Sequence, residues 1–385
     1  MPNTNRPLAL YVHVPFCKAK CTYCDFYSLA GAEDNIPAFA EALLQEIDAA
    51  SKQHDLNSFF IDTIFFGGGT PNLLDPDTLA AILDALRTLT QMGEDVEIGL
   101  EVNPGEVTLE RLKAYRNMGF NRVSIGMQSF QPKLLTFMSR IHSPEDAISA
   151  YIMARKAGFT NVSGDLIFAV PGQTRQIWES DLKQLIDLGP EHISTYSLTV
   201  EEGTALKRWV DAGHVHMLEE SIDTGMYDVG RDLLERHGYV NYEVSNYSRP
   251  GYRCRHNLNY WTGVDYLGFG PSAHSFFQGK RWWNPRHLQS YITGMVERGD
   301  CDPEIETIDA GTAANEMILT RLRLAQGLDL DIFESRFGIN LLDEKAPTLE
   351  KWSQELSVQQ GHLRVTPAGW SLIDEISADL MTVNA

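Results

Sequence analysis

Short apolar runs alternate with amphipathic stretches along the first 200 residues of the chain. The runs are rich in valine, isoleucine, phenylalanine and threonine, which favour β strands, and they cover residues 8–14, 61–67, 96–102, 122–127, 162–169 and 192–200. Between them, apolar residues recur with helical spacing over residues 36–51, 77–91, 107–118, 144–158 and 174–188. This alternation predicts an α/β fold with a parallel sheet, wound as an open or closed barrel.

Polar or glycine-containing segments follow several of the predicted strands. They are residues 16–17, 67–70, 101–104 and 128–129, together with Asp165. In barrels of this type, ligands bind at the carboxyl ends of the strands. We therefore expect these segments to face one another across one mouth.

The pattern changes after residue 200. A helix is predicted over 219–237 and a short strand near 240–246, followed by an aromatic segment that runs from residue 246 to residue 277. Beyond it, the sequence predicts helices over 286–298, 310–325, 330–337 and 347–358, a strand over 362–366 and a last helix from residue 367. These last elements suggest a small winged-helix-like unit.

The composition narrows the classes of function. The chain has 385 residues, of which 43% are hydrophobic and 22% charged, as in ordinary folded domains. A net charge of −20 disfavours nucleic acid as a partner, because it repels phosphate. No run of eighteen apolar residues occurs, so we expect no transmembrane segment. The first residues lack a signal-peptide pattern, so we expect a cytoplasmic protein.

Three of the five cysteines, Cys17, Cys21 and Cys24, lie within eight residues. An odd count with this clustering is unlike a disulfide framework and is typical of thiolates that hold a metal or a cluster. Three thiolates on one short loop can each bind one iron of an iron–sulfur cubane. The next cysteine is Cys254, which leaves the fourth iron open.

An open iron needs a chelating ligand, and the amino and carboxylate groups of S-adenosylmethionine can supply one. Electron transfer into its sulfonium would then generate a radical. Two alternatives are a zinc site completed by a distant histidine and three incidental thiols. The glycines of residues 67–69 allow close backbone approach to such a ligand, although a tight turn would also explain them.

Residues 11–26 (YVHVPFCKAKCTYCDF) and 67–71 (GGGTP) resemble the radical S-adenosylmethionine superfamily. Within it, the chain resembles the oxygen-independent coproporphyrinogen III dehydrogenases and the HemW-type heme chaperones, from residue 8 to the final helix. The resemblance implies a partial (β/α)6 barrel over residues 1–240 and a smaller, mostly helical C-terminal region over 241–385. It also implies a [4Fe-4S] cluster on Cys17, Cys21 and Cys24.

The resemblance also assigns roles to other residues. Tyr11, Gly68 and Glu101 would contact the cluster-bound S-adenosylmethionine, and Tyr23 would cover its nucleoside. A second S-adenosylmethionine site of the dehydrogenases would be lined here by Gly69, Thr70, Gln128, Arg140, Asp165 and Thr199.

Three features favour the chaperone branch. The dehydrogenases place a further cysteine two residues after the third ligand, where this chain has Phe26. They also carry a longer N-terminal segment, whereas Cys17 lies near the start of this sequence. Residues 256–261 (HNLNYW) match a motif associated with heme binding in the chaperones, and a neutral His256 imidazole is a suitable axial ligand. The alternative is that His256 caps a turn and that Tyr260 and Trp261 belong to the core. Cys254 and His274 are then the next candidates for the iron ligand.

The resemblance therefore predicts a heme chaperone without coproporphyrinogen dehydrogenase activity, which passes heme to a respiratory hemoprotein. An electron donor such as a flavodoxin or ferredoxin would serve the cluster, and a peripheral membrane contact is left open. The competing hypotheses are oxidative decarboxylation of coproporphyrinogen III and a zinc-binding scaffold.

Overall fold

A twelve-stranded sheet organises the computed structural model, which describes residues 5–381. Its centre consists of six parallel strands that are neighbours in chain order: β1 (Arg6–Val14), β4 (Phe59–Gly68), β5 (Met92–Val102), β6 (Arg122–Gln128), β7 (Val162–Phe168) and β8 (His192–Ser197). At the outer edges, β1 pairs with β11 (Asp265–Phe269) and β8 pairs with β10 (Asn246–Ser248). The two ends of the six-stranded sheet therefore do not pair with each other. This confirms the predicted α/β fold as an open, partial barrel.

Helices follow the central strands and cover their outer face. They are α1 (Ile36–Gln53), α2 (Pro76–Arg87), α3 (Leu109–Met118), α4 (Pro132–Phe137), α5 (Pro144–Lys156), α6 (Arg175–Leu188), α7 (Ala205–Asp211) and α8 (Glu220–Arg236). Helix α5 shows how the sequence sets their starts: Ser143 and Asp146 form a reciprocal capping box around Pro144. Such a cap contributes about 1 kcal/mol. Short 3-10 turns at Glu33–Asn35 and Pro71–Leu73 complete the connections.

A separate short parallel ladder precedes α1. Strands β2 (Phe16–Cys17) and β3 (Leu29–Ala30) pair with each other and frame the loop that carries the three clustered cysteines. The loop is therefore fixed at both ends, directly after the first barrel strand.

The second half of the chain extends the sheet on both sides. The predicted strand near 240–246 is a hairpin of β9 (Val240–Glu243) and β10, which turns at residues 244–245. The aromatic segment contains elements that the sequence does not predict, namely α9 (Arg255–Thr262), β11 and β12 (His274–Phe277). After them come β13 (Lys280–Trp283), α10 (Leu288–Arg298) and β14 (Glu304–Thr307). The domain boundary at 240/241 stays a prediction, and the sheet continues through it.

Residues from 310 onward form a second core. Their elements are α11 (Ala310–Leu322), β15 (Leu328–Asp329), α12 (Leu330–Phe337), α13 (Leu341–Glu344), α14 (Ala346–Lys351), β16 (Leu356–Gln359), β17 (His362–Val365), a 3-10 turn (Trp370–Leu372) and α15 (Ile373–Leu380). The helix predicted over 347–358 is wrong in its second half, because residues 356–359 pair with β17. The winged-helix-like character of this region stays a prediction. No helix within residues 5–381 is long and apolar enough to cross a membrane.

Candidate functional site

A cavity of about 380 Å³ lies at the carboxyl ends of the central strands. Volumes of this size are typical of small-molecule sites. The predicted site residues that line it are Cys17, Cys21, Tyr23, Cys24, Gly68, Gly69, Thr70, Glu101, Gln128, Arg140, Asp165 and Thr199. The structure thus brings together residues from seven separate segments. Their individual roles stay predictions.

The cysteine loop is anchored so that its thiols face this cavity. The Thr22 hydroxyl donates to the Phe137 carbonyl at 3.1 Å, and the Leu206 amide donates to the Thr22 carbonyl at 2.8 Å. Lys20 reaches the Ser28 carbonyl at 3.3 Å and ties the two arms of the loop together. Cys17, Cys21 and Cys24 are half-buried, and the structure contains them as free thiols.

Hydrogen-bond donors contact two of these sulfurs. The Thr70 hydroxyl donates to Cys17 Sγ at 3.6 Å, and Arg140 Nη1 donates to Cys21 Sγ at 3.4 Å. Asn103 joins the two donors, because its Nδ2 donates to Thr70 Oγ1 at 2.8 Å and its Oδ1 accepts from Arg140 Nη2 at 2.6 Å. The sequence does not single out Asn103. The feature that could have identified it as a site residue is its position at a strand end, two residues after Glu101.

Gly68 is a position that only glycine fits well. Its φ is +103°, and its amide donates to Glu101 Oε2 at 3.2 Å. A Cβ there would lie 2.6 Å from the imidazole of His13, which is itself held by the Tyr27 carbonyl at 2.8 Å. The backbone therefore approaches both the cavity and the carboxylate closely.

Two carboxyl groups define the electrostatics of the cavity. Removal from bulk water raises the pKa of Glu101 to about 8, and the negative charge of Asp165 adds to this shift. Burial also raises the pKa of Asp165. Hydrogen bonds to the Asp165 carboxylate, such as the one that Ser124 Oγ donates to Oδ2 at 2.9 Å, oppose this shift. A pair of acids that ionise poorly together favours a cationic ligand, such as an amino or sulfonium group.

Some polar atoms that line the cavity are unpaired. Gln128 Oε1 and Arg140 Nε are buried without a hydrogen-bond partner among the residues described. Gln128 also adopts a positive φ of 64°, which is uncommon for a residue with a side chain. Unpaired buried polar groups are costly, so these atoms fit a site that a polar ligand completes.

The donor set fits a cubane. Burial raises the pKa of Cys24 to about 11 and also raises that of Cys17, so binding to iron has to displace these protons. Between residues 5 and 381, no three His, Cys, Asp or Glu side chains are arranged to hold a single metal ion. A cubane distributes its thiolates over separate irons and does not require them to converge on one point.

Tyr11 differs from the other predicted S-adenosylmethionine ligands. It is absent from the residues that line the cavity, and its ring edge lies 3.2 Å from the position of a Cβ on Gly67. Its hydroxyl oxygen lies 3.1 Å from His13 Nδ1. Tyr11 therefore packs beside Gly67, in the glycine loop next to Glu101, and does not face the cavity.

His256 lies inside the barrel, away from the cavity lining. It is 1% exposed, its Nδ1 lies 2.8 Å from Thr63 Oγ1, and its Nε2 lies 2.9 Å from the Tyr260 hydroxyl oxygen. Phe65 stacks on the imidazole at 5.1 Å, and burial lowers the pKa of His256 to about 3. Both ring nitrogens are engaged, so iron binding by His256 requires that α9 move, and this role stays a prediction.

The other two heme-ligand candidates lie in contrasting environments. Cys254 is buried, with its Sγ 3.7 Å from Glu97 Oε1, and it is absent from the residues that line the cavity at the strand ends. Glu97 instead holds the start of α9, since its carboxylate accepts from the Arg255 amide at 3.2 Å and the His256 amide at 3.0 Å. His274 opens β12 and is exposed, outside the cavity lining.

Comparison with known families agrees with this geometry. Residues 11–185 match the Radical SAM superfamily, and residues 308–372 match the HemN C-terminal domain. The solved structure of coproporphyrinogen III oxidase (HemN) from Escherichia coli superposes with a TM-score of 0.84 and covers 98% of this chain and 91% of its own. Its sequence identity is 24%, so this likeness concerns the fold.

Similarity in sequence is greater to proteins named heme chaperone HemW. The protein from Mycobacterium tuberculosis is 36% identical over 86% of this chain and 85% of its own length. The Escherichia coli protein is 33% identical over 96% of this chain and 94% of its own length. The chain therefore belongs to the HemW heme chaperone family, within the radical S-adenosylmethionine superfamily.

Proposed function

We propose that this protein binds heme and delivers it to an acceptor hemoprotein, with a [4Fe-4S] cluster and S-adenosylmethionine in the barrel cavity. The observation that carries the proposal is the similarity to HemW proteins along nearly the whole chain. Family membership implies the cluster and S-adenosylmethionine through the superfamily domain. Delivery to a respiratory protein in the cytoplasm, an electron donor such as a flavodoxin or ferredoxin, and membrane contact stay predictions.

The chain's own residues have separable tasks in the cavity. Cys17, Cys21 and Cys24 would hold the cluster, which in its reduced form supplies an electron to a sulfonium. Gly68 donates its amide to the Glu101 carboxylate, and Glu101 and Asp165 together favour a cationic group of S-adenosylmethionine. These residues would bind and orient the ligand.

Phe26 supports the chaperone proposal over the enzymatic alternative. It lines the mouth and is 61% exposed, at the position where the dehydrogenases carry a further cysteine. An exposed phenyl ring beside the cluster loop is suited to apolar contact and supplies no thiol chemistry. It also adds to the apolar surface that a porphyrin could contact.

The second candidate function is oxidative decarboxylation of coproporphyrinogen III. The fold of the chain superposes closely on that of the oxidase HemN, and the cavity brings the cysteine loop together with two buried carboxyl groups. This arrangement suits radical chemistry on a bound substrate. The two functions differ in their products and can be separated directly.

Parallel anaerobic assays of reconstituted protein test the proposal. We expect added hemin to give a Soret band, and S-adenosylmethionine with a reductant to leave coproporphyrinogen III unconverted.

Heme transfer is tested separately. A heme-free b-type cytochrome should acquire heme from the loaded protein at a rate that rises with the concentration of the cytochrome. That rate should exceed spontaneous heme loss, measured with excess apomyoglobin as scavenger. Failure to bind hemin, or robust formation of protoporphyrinogen, would favour the alternative.

A further inference from the structure

The β12–β13 hairpin carries an exposed histidine beside aromatic rings. His274 and Trp283 are directly paired across the two strands, and their ring centroids lie 5.5 Å apart with planes inclined by 25°. Phe276 follows two residues later, so it lies on the same face of the strand, and it is partly exposed. The imidazole is therefore held by stacking, next to apolar surface that ligands can reach.

The ring of His274 is free to accept a metal. Across residues 5–381, no hydrogen bond engages its nitrogens, in contrast with the two that occupy the ring of His256. Partial burial and the nearby charges of Arg281 and Arg286 hold the pKa of His274 below its ordinary value. The imidazole is thus neutral near pH 7, which is the form that binds iron.

A cationic side chain beside the hairpin is available for a carboxylate. Arg286 is exposed and donates to the Asp25 carbonyl of the cysteine loop at 3.2 Å. No acidic side chain of the described residues forms an ion pair with Arg286. Arg281, by contrast, is engaged by both carboxylate oxygens of Glu316 at 2.7 and 2.8 Å. Arg286 is therefore the arginine of this region that can accept a new anionic partner.

We propose that heme binds at this edge of the sheet, with His274 as its axial iron ligand and Arg286 as the partner of a propionate. The proposal rests on the heme-binding function proposed above and names its site. Phe276 would contact the macrocycle, and Trp283 would hold the imidazole in place by stacking on it. A ring nitrogen donates its lone pair to the iron and replaces a weak axial ligand. The oxidation state of the iron does not change.

Hemin titration of the full-length reconstituted protein tests the axial ligand. We expect His274→Ala to weaken hemin binding at least tenfold and to shift the Soret band, and added imidazole to restore the wild-type spectrum. His216→Ala is the matched control, because His216 is an exposed histidine remote from the hairpin in sequence. It should leave both affinity and spectrum unchanged.

The outcomes separate this proposal from the proposed function. Wild-type affinity and spectrum in His274→Ala would overturn the hairpin site while leaving heme binding intact. A loss confined to His256→Gln would instead place the iron at α9. Absence of hemin binding by the wild-type protein would overturn the proposed function and the site together.

Arg286 provides an independent arm of the test. Arg286→Ala should weaken hemin binding severalfold, and Arg286→Lys should recover part of the loss. Neither change should matter for hemin dimethyl ester, whose propionates carry no charge. If Arg286→Ala weakened the binding of hemin and of its dimethyl ester equally, the propionate contact would be contradicted. Such a result would indicate a general disturbance of the hairpin, which does not depend on the charge of the propionates.

Discussion

The barrel mouth and helix α9 both carry residues that sequence patterns associate with cofactors, but they use their polar atoms differently. At the mouth, half-buried thiols, two carboxyl groups and unpaired atoms of Gln128 and Arg140 face a cavity of about 380 Å³. In α9, both nitrogens of His256 are bonded and the ring is stacked on Phe65. The difference shows that the availability of a side chain, as well as its type, decides whether it can bind a ligand.

The largest expected effect is the loss of the cluster when a mouth thiol is removed. Cys21→Ala should abolish the iron–sulfur absorbance of reconstituted protein, because one iron of the cubane loses its protein ligand. Cys301→Ala is the control, since Cys301 is buried and absent from the cavity lining. An unchanged spectrum in Cys21→Ala would remove the basis for treating the mouth as the cluster site.

A large loss of stability is expected at α9. His256→Ala should lower the free energy of unfolding by about 3 kcal/mol, because it leaves a cavity and removes a hydrogen-bond partner from the buried hydroxyls of Thr63 and Tyr260. His216→Ala, at an exposed position, should change it by less than about 0.5 kcal/mol. Chemical denaturation measures both. Equal stability of the two variants would show that α9 is loosely packed.

Gly68 gives a smaller effect that probes the mouth. Gly68→Ala should cost about 2 kcal/mol of stability, from its φ of +103° and the approach to His13. Gly158→Ala isolates the backbone cost, because Gly158 has a φ of +94° with nothing within 4 Å of its added Cβ. It should cost about 1 kcal/mol. Only Gly68→Ala should also weaken S-adenosylmethionine binding, measured by calorimetry.

A pH dependence of the ligand-free protein comes last, because its change per pH unit is smaller than the changes above. Glu101 has a folded pKa of about 8 against an ordinary value of 4.5, so its neutral form favours folding at low pH. As pH rises through this window the unfolded chain loses its proton first, and the free energy of unfolding falls. The slope reaches about 1.4 kcal/mol per pH unit for one group. Denaturation at several pH values should show a shallower slope in Glu101→Gln, and an unchanged slope would contradict the shift.

Local patterns predict the barrel well. The apolar runs and helical spacing of the first 200 residues lie in the observed strands and helices, because a parallel sheet buries both of its faces. The strand ends converge at one mouth for the same geometric reason. That is why widely separated residues, from Cys17 to Asp165, could be placed at one mouth from the sequence.

Contacts between distant segments could not be predicted in the same way. The pairing of β1 with β11 joins segments that are 257 residues apart in the sequence, as in the pair Leu8 and Asp265. Strand β16 likewise forms by pairing with β17. The bridge from Asn103 to both Thr70 and Arg140 has no sequence spacing of its own. The engagement of His256 by Thr63 is equally invisible in the HNLNYW pattern.

The central claim is that S-adenosylmethionine binds at the open iron beside the cavity. Electron paramagnetic resonance of the reduced cluster, recorded with and without S-adenosylmethionine, tests this claim most directly. Three cysteine ligands leave one iron open, and Gly68, Glu101 and Asp165 surround the adjoining cavity. We predict that saturating S-adenosylmethionine changes the signal of the wild-type protein. An identical signal with and without it would mean that the fourth iron is closed, and would contradict the assignment of the cavity.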